Sequence, residues 1–174
     1  VAQRLIAVRR ALPADAAALA EFGARTFRET FEADNTPENM ALYLARSYGP
    51  ELQSAELRDP RMLSLLAEDA GQLAAFSQLR DGPAPEGVTG SRPIELLRFY
   101  VDRAWQGRGV AQELMSATVA AAAERGAGAV WLAVWERNER AQAFYRKCGF
   151  EDRGAKDFML GNDRQTDRIM ARTL

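Results

Sequence analysis

The stretch Tyr100-Val101-Asp102-Arg103-Ala104-Trp105-Gln106-Gly107-Arg108-Gly109-Val110-Ala111 decides the reading of this chain. Before it, the apolar, β-prone run Ile94–Val101 predicts a strand. After it, Gly109–Arg125 places Val110, Leu114, Ala117, Thr118 and Ala121 on one helical face. The quoted residues are therefore a turn between a strand and a helix. Gly107 and Gly109 have no side chains, so backbone can approach a ligand closely. Amides at the helix start point into that space with the positive end of the helix dipole behind them, which suits a pyrophosphate. Arg108 adds charge or stands in solvent, and Ala111 is small enough for the helix to press against its neighbour. A plain helix start with two turn glycines fits the same letters. The Gly-Lys-Ser/Thr ending of a nucleoside-triphosphate loop is missing, and the Gly-x-Gly-x-x-Gly spacing of a dinucleotide site fails.

Downstream, Ala129–Trp135 is an unbroken apolar run, typical of a strand covered on both faces. Asn138–Lys147 reads as a helix closed by Cys148-Gly149. This segment spells Asn-x-x-Ala-x-x-Phe-Tyr and then Gly-Phe, through Asn138, Ala141, Phe144, Tyr145, Gly149 and Phe150. With the first turn it resembles the GNAT superfamily of N-acetyltransferases, whose acetyl-CoA loop reads Gln/Arg-x-x-Gly-x-Gly/Ala. Gln106, Gly109 and Ala111 fill the three specified places. The resemblance implies a GNAT-type mixed, mostly antiparallel, central sheet flanked by helices on both faces. It also implies acetyl-CoA as co-substrate, with no metal. Phe99, Tyr100 and Val101 are expected to give backbone contacts to acetyl-CoA, and the amides of Gln106, Gly107, Arg108, Gly109, Val110 and Ala111 to hold the pyrophosphate. Asn138 is expected to cap its helix and bond the pantetheine arm, which Ala141 and Phe144 border. Lys147 meets a CoA phosphate or ends its helix in solvent. Tyr145 stands where the family places the acid that protonates the departing thiolate. A phenol of pKa ~10 keeps its proton at neutral pH and can supply it; a partly buried helix aromatic fits the same position. Cys148 lacks an activating base nearby and reads as a packing residue.

The likeness extends along essentially the whole chain. Thr26-Phe27-Arg28-Glu29-Thr30-Phe31, followed by Asn35-Thr36-Pro37-Glu38-Asn39-Met40, resembles the amino-terminal half of the PaiA-type spermidine/spermine acetyltransferases. So does the ending Phe158-Met159-Leu160-Gly161-Asn162-Asp163-Arg164-Gln165-Thr166-Asp167-Arg168-Ile169-Met170. This subgroup implies a polyamine or similar primary amine as acceptor. Glu29, Glu32, Asp34 and Glu38 lie in the segment expected to cover the acceptor groove, or else form a solvated surface. The subgroup often carries alternating acids on the strand before the loop; here Glu95 is present and Leu97 stands where a second acid is expected. Glu95 is the candidate base, acting through water, or it pairs with an arginine such as Arg98. Other acceptors remain in play: a protein amino terminus, an amino acid or an antibiotic. A non-catalytic module that senses acetyl-CoA is a further alternative.

Composition narrows the chemistry. The chain has no histidine, which removes Ser-His-Asp and Cys-His catalysis and histidine-based zinc sites. Its one cysteine excludes an internal disulfide. A net charge of −1 gives no global field for nucleic acid or anionic membrane. Val1–Ala11 lacks an apolar run long enough for a signal peptide or membrane span, so a cytoplasmic protein is expected. At 174 residues, one domain over 1–174 is expected, with a homodimer left open.

The rest of the pass predicts a strand at Arg4–Arg10 and a helix from Pro13-Ala14-Asp15 to about Arg25. Thr36-Pro37-Glu38-Asn39 is a capped helix entry, and Pro50–Leu57 a short helix. Met62–Ala67 and Gln72–Leu79 form a hairpin about Glu68-Asp69-Ala70-Gly71. Asp81–Pro93 is a loop, and Phe150–Leu160 and Thr166–Leu174 are closing strands. That order describes a mixed α/β sheet with helices on both faces.

Overall fold

The hairpin that the sequence predicts is the core of the sheet. Met62–Asp69 (β2) and Gln72–Asp81 (β3) pair antiparallel across a tight turn. Ala70 and Gly71 both take left-handed backbone there, with φ of 51° and 80°, as a two-residue hairpin of this twist requires. The structure, a computed structural model, describes residues 6–174. The remaining strands are Ile6–Arg10 (β1), Ile94–Val101 (β4), Ala129–Trp135 (β5), Glu151–Leu160 (β6) and Asp163–Thr173 (β7). The expected start of the first strand at Arg4 lies outside the described residues. The sheet has the order β1-β2-β3-β4-β5-β7-β6. Only β4 and β5 pair parallel; the other ladders are antiparallel.

Helices Ala16–Phe31 (α1), Pro37–Ser47 (α2) and Pro50–Arg58 (α3) precede the hairpin. Val110–Glu124 (α4) and Glu139–Lys147 (α5) follow the two motifs. The first helix runs to Phe31, past the expected end near Arg25, because Phe22 and Phe27 continue its buried stripe beside Leu19. Thr36 caps α2 as predicted, its hydroxyl accepting from the Asn39 amide at 3.2 Å. Alternation on the strands sorts the helices. Leu65 and Ala75 pack with Val110 and Leu114 of α4 on one face. Leu66 and Phe76 pack with Leu19 and Phe22 of α1 on the other.

One irregularity shapes the site. Gln78 faces Arg98 and Leu79 faces Leu96, so Leu97 is an extra residue in β4. Such a bulge bends its strand and increases its twist. The ladder between β4 and β5 is confined to Ile94–Val130 and Glu95–Trp131. Beyond those pairs the two strands part. Among the described residues, no helix is long and apolar enough to cross a membrane.

Candidate active site

The parting of β4 and β5 opens a cleft of about 810 Å³. Residues 96–101 of β4 and 132–135 of β5 form its two sides. Parallel strands that separate expose backbone groups that would otherwise be laddered, and those groups need partners.

The predicted turn closes one end. Asp102 caps a single turn of 3₁₀ helix, accepting from the Ala104 amide at 2.8 Å, and is held by Arg25 of α1 at 2.6 Å. Trp105 is buried and donates to Asp69 at 3.0 Å. The Gln106 side chain folds back and donates to the Val101 carbonyl at 3.1 Å, which fixes the loop on the strand end. Gly107 and Gly109 have φ of 73° and 85°, a region costly for residues with a Cβ. The space a Cβ would take at either glycine is open. Gly109 is the residue before α4, and this helix start has no side-chain cap among the described residues. Its first amides are left for a ligand. Gln106, Gly107 and Ala111 line the cleft. Val110 is buried in the core, so only its amide can serve a ligand, and the exposed Arg108 side chain is not part of the lining.

The second motif forms the wall beside the opened strands. Asn138 caps α5, its Oδ1 accepting from the Ala141 amide at 3.1 Å. Gln142 donates to the Trp135 and Glu136 carbonyls and ties the helix to the end of β5. Asn138, Ala141, Phe144, Tyr145 and Lys147 all line the cleft. Phe144 stacks on Phe99 of β4, with ring centres 5.6 Å apart. Tyr145 sits among Phe99, Phe144 and Phe150. It is 9% exposed, and its hydroxyl has no hydrogen-bond partner among the described residues. Burial raises its pKa far above the ordinary phenol value. Burial also raises the Cys148 thiol, which packs against the core as expected.

Glu95 lines the apex of the cleft and is 7% exposed. Its partner is Arg80, not Arg98, because Arg80 stands directly opposite it on β3. Arg80 donates twice to Oε2, at 2.9 and 2.6 Å, and Oε1 accepts no bond among the described residues. Arg98 turns toward the helices and donates to Glu56 at 2.7 Å and to Gln78 at 2.5 Å. The Tyr100 side chain packs between Phe27 and Phe76, so the strand end, not this ring, is available to a ligand.

The opposite wall of the cleft is aromatic. Phe31, Tyr43, Trp135 and Phe158 line it, with Phe31 against Trp135 at 6.0 Å and Tyr43 against Phe158 at 5.6 Å. The two flanking motifs meet here. Asn39 accepts from the Asn162 amide at 2.9 Å, and Gln165 donates to Asn35 at 2.7 Å. Gly161 has φ 61°, and a Cβ there would lie 2.6 Å from the Asn39 Cα. The start of α2 is thereby docked on the turn between β6 and β7. The acidic cover is thinner than expected. Of Glu29, Glu32, Asp34 and Glu38, only Glu29 lines the cleft. Glu32 lines a separate hollow and Asp34 pairs with Arg137, because the chain turns away after Phe31. Asp167, to which the sequence attached no role, lines the cleft and is 7% exposed. Its signal lies in strand register, which places it beside Trp135 and Lys156.

Residues 22–150 match the acetyltransferase (GNAT) family. An uncharacterised N-acetyltransferase of Mycobacterium tuberculosis is 34% identical, over 92% of this chain and 98% of the relative. Another from Lactobacillus delbrueckii subsp. lactis is 30% identical, over 86% of each chain. Among solved structures, the PaiA N-acetyltransferase of Thermoplasma acidophilum in complex with coenzyme A superposes with a TM-score of 0.78. It covers 98% of this chain and 99% of its own at 20% identity, a likeness of fold.

Proposed function

The chain belongs to the GNAT acetyltransferase family, and from that premise we propose that it moves acetyl from acetyl-CoA directly onto a small primary amine bound against the aromatic wall. The observation that carries this reading is the parted β4–β5 pair, with an uncapped helix start at one end and the aromatic wall on the other side. In this reading the amides from Gln106 to Ala111, Arg108, Gly109 and Val110 included, hold the pyrophosphate. The strand end Phe99–Val101 and Asn138, Ala141 and Phe144 guide the pantetheine arm. Lys147 meets a CoA phosphate.

An ammonium is not a nucleophile, so its proton leaves first. Oε1 of Glu95 takes that proton through water, while Arg80 holds Oε2. The amine nitrogen then bonds to the thioester carbonyl carbon as the carbon–sulfur bond breaks. A backbone amide at the 99–101 strand end stabilises the charge that develops on the carbonyl oxygen. Tyr145 donates a hydrogen bond to the departing sulfur. Its phenol, raised by burial, holds its proton more tightly than a thiol of pKa ~8.5 does. Complete transfer from Tyr145 is thus uphill, so solvent takes the second proton from the acylated nitrogen and delivers one to sulfur, leaving the amide and the CoA thiol.

The acceptor class we infer is a polyamine such as spermidine or spermine, supported by the paired flanking motifs and by the carboxylates Glu29 and Asp167 in the cleft. The test is CoA release with a panel holding spermidine, spermine, an amino acid, a peptide amino terminus and an aminoglycoside. Spermidine is expected to give the highest kcat/KM. Preference for the peptide would reject the polyamine. Acetyl-CoA binding without release of CoA with any amine would reject catalysis.

A further inference from the structure

We propose that Asp167 is the carboxylate that receives the positive charge of the acceptor, inside an aromatic box formed by Phe31, Tyr43, Trp135 and Phe158. This rests on the acetyl-transfer reading of the same cleft and adds the group that selects the substrate.

The case starts from position. Asp167 pairs with Trp135 of β5 and with Lys156 of β6, so its side chain shares their face of the sheet. Glu95 pairs laterally with Trp131, four residues from Trp135, and belongs to the same face. The two carboxylates are separated by about 13 Å along β5, with β5 between their strands. They are not one acid cluster. Glu95 lies at the apex, where the strands still pair; Asp167 lies beside the opened half of β5.

Their partners differ too. Glu95 has its charge matched by Arg80 at 2.6 Å. Asp167 has no ion-pair partner within salt-bridge distance, and no donor bonds its carboxylate, among the described residues. An aspartate with only 7% of its surface exposed normally has such partners. This one lines a cleft, and among the described residues no cation lies within ion-pair distance of it. Lys156 is the cation whose charge acts on it, but its side chain is exposed and lies over the Trp131 ring at 5.7 Å. The other titratable groups around Asp167 are Glu136 past the end of β5 and Tyr43 on α2; Arg98 of β4 lines the same cleft. A cation between this carboxylate and the ring faces gains both charge pairing and cation–π attraction.

The cost of holding the carboxylate ready is visible in its ionisation. Burial raises it from 3.8 to about 6, against the lowering effect of Lys156. The native state therefore resists ionisation that the unfolded chain accepts from about pH 4 upward. This one group destabilises the ligand-free fold progressively between about pH 4 and pH 6, and by a constant amount above.

The test uses calorimetric titration of spermidine and of propylamine into the whole protein and into Asp167→Asn. Spermidine affinity is expected to fall about 10- to 100-fold in the variant, with acetyl-CoA affinity unchanged. The variant is also expected to melt higher than the wild type above pH 6, with the gap closing toward pH 4. A merely structural aspartate would lower the melting point instead. Lys156→Gln removes a competing cation and is expected to tighten spermidine by about two- to fivefold. Unchanged spermidine affinity in Asp167→Asn, or no binding of either amine to the wild type, would overturn the proposal. Lys156→Gln weakening spermidine as much as Asp167→Asn does would also overturn it. Asp167-dependent amine binding in a protein that releases no CoA would leave this proposal standing and reject acetyl transfer.

Discussion

Replacing Tyr145 by phenylalanine removes one oxygen and leaves the ring among Phe99, Phe144 and Phe150. In the native state the residue is 9% exposed and lines the cleft, and its hydroxyl has no partner among the described residues. Its loss forfeits no internal hydrogen bond, so stability is expected to hold or rise slightly. The effect belongs to the reaction. A hydrogen bond to a charged group contributes about 1.5–3 kcal/mol. At about 1.4 kcal/mol per factor of ten, the variant should lose roughly 10- to 150-fold in the rate of the chemical step. Burial keeps the phenol protonated through the alkaline range, so Tyr145 should add no falling limb to the pH–rate profile below pH ~10. The assay is single-turnover acetyl transfer, which separates chemistry from CoA release, together with calorimetric binding of acetyl-CoA. An unchanged single-turnover rate with intact acetyl-CoA affinity would refute the role of the hydroxyl. A rate lost in proportion to acetyl-CoA binding would show that the ring position, not the hydrogen bond to sulfur, was perturbed.

Other perturbations separate the parts of the site. Glu95→Gln keeps an oxygen for Arg80 and removes the base, so kcat should fall most at low pH and recover partly at high pH; a uniform fall across pH would contradict a proton-accepting role. Gly107→Ala and Gly109→Ala should each cost about 1–2 kcal/mol of stability through left-handed backbone, and should weaken acetyl-CoA beyond that strain. Gly109→Val adds a β-branched residue at φ 85°, so it mixes strain with any clash against the ligand and makes a poorer test. Gly161→Ala drives a methyl into the Asn39 backbone and should loosen α2 from the β6–β7 turn. Its amine KM should rise with acetyl-CoA affinity unchanged; the reverse pattern would show that this junction serves the CoA side.

The features legible in the sequence were those set by a few neighbouring residues. Thr36 and Asn138 cap the helices that follow them, and Ala70-Gly71 turns the hairpin, because each depends on local backbone conformation. The same holds for Gly107 and Gly109, whose positive φ and open space follow from a strand that must turn at once into a helix. The paired motifs pointed to the family for the same reason: each is a short segment whose geometry is its own. The run Ala129–Trp135 likewise announced a strand covered on both faces.

The tertiary structure decided everything that depends on which strand lies beside which. Arg80 rather than Arg98 neutralises Glu95 because the β3–β4 register sets them opposite each other, fifteen residues apart in the chain. The bulge at Leu97 bends β4, and no apolar pattern marks an extra residue. Asn39 and Asn162 meet across 123 residues, and Asn35 and Gln165 across 130, so their motifs were visible but their union was not. Asp167 looks like one more polar residue in a strand of mixed pattern. Only the order β5-β7-β6 places it beside Trp135, out of solvent and facing the cleft. A side chain's charge is written in the sequence; whether water, a counter-ion or a substrate answers that charge is fixed by burial and register.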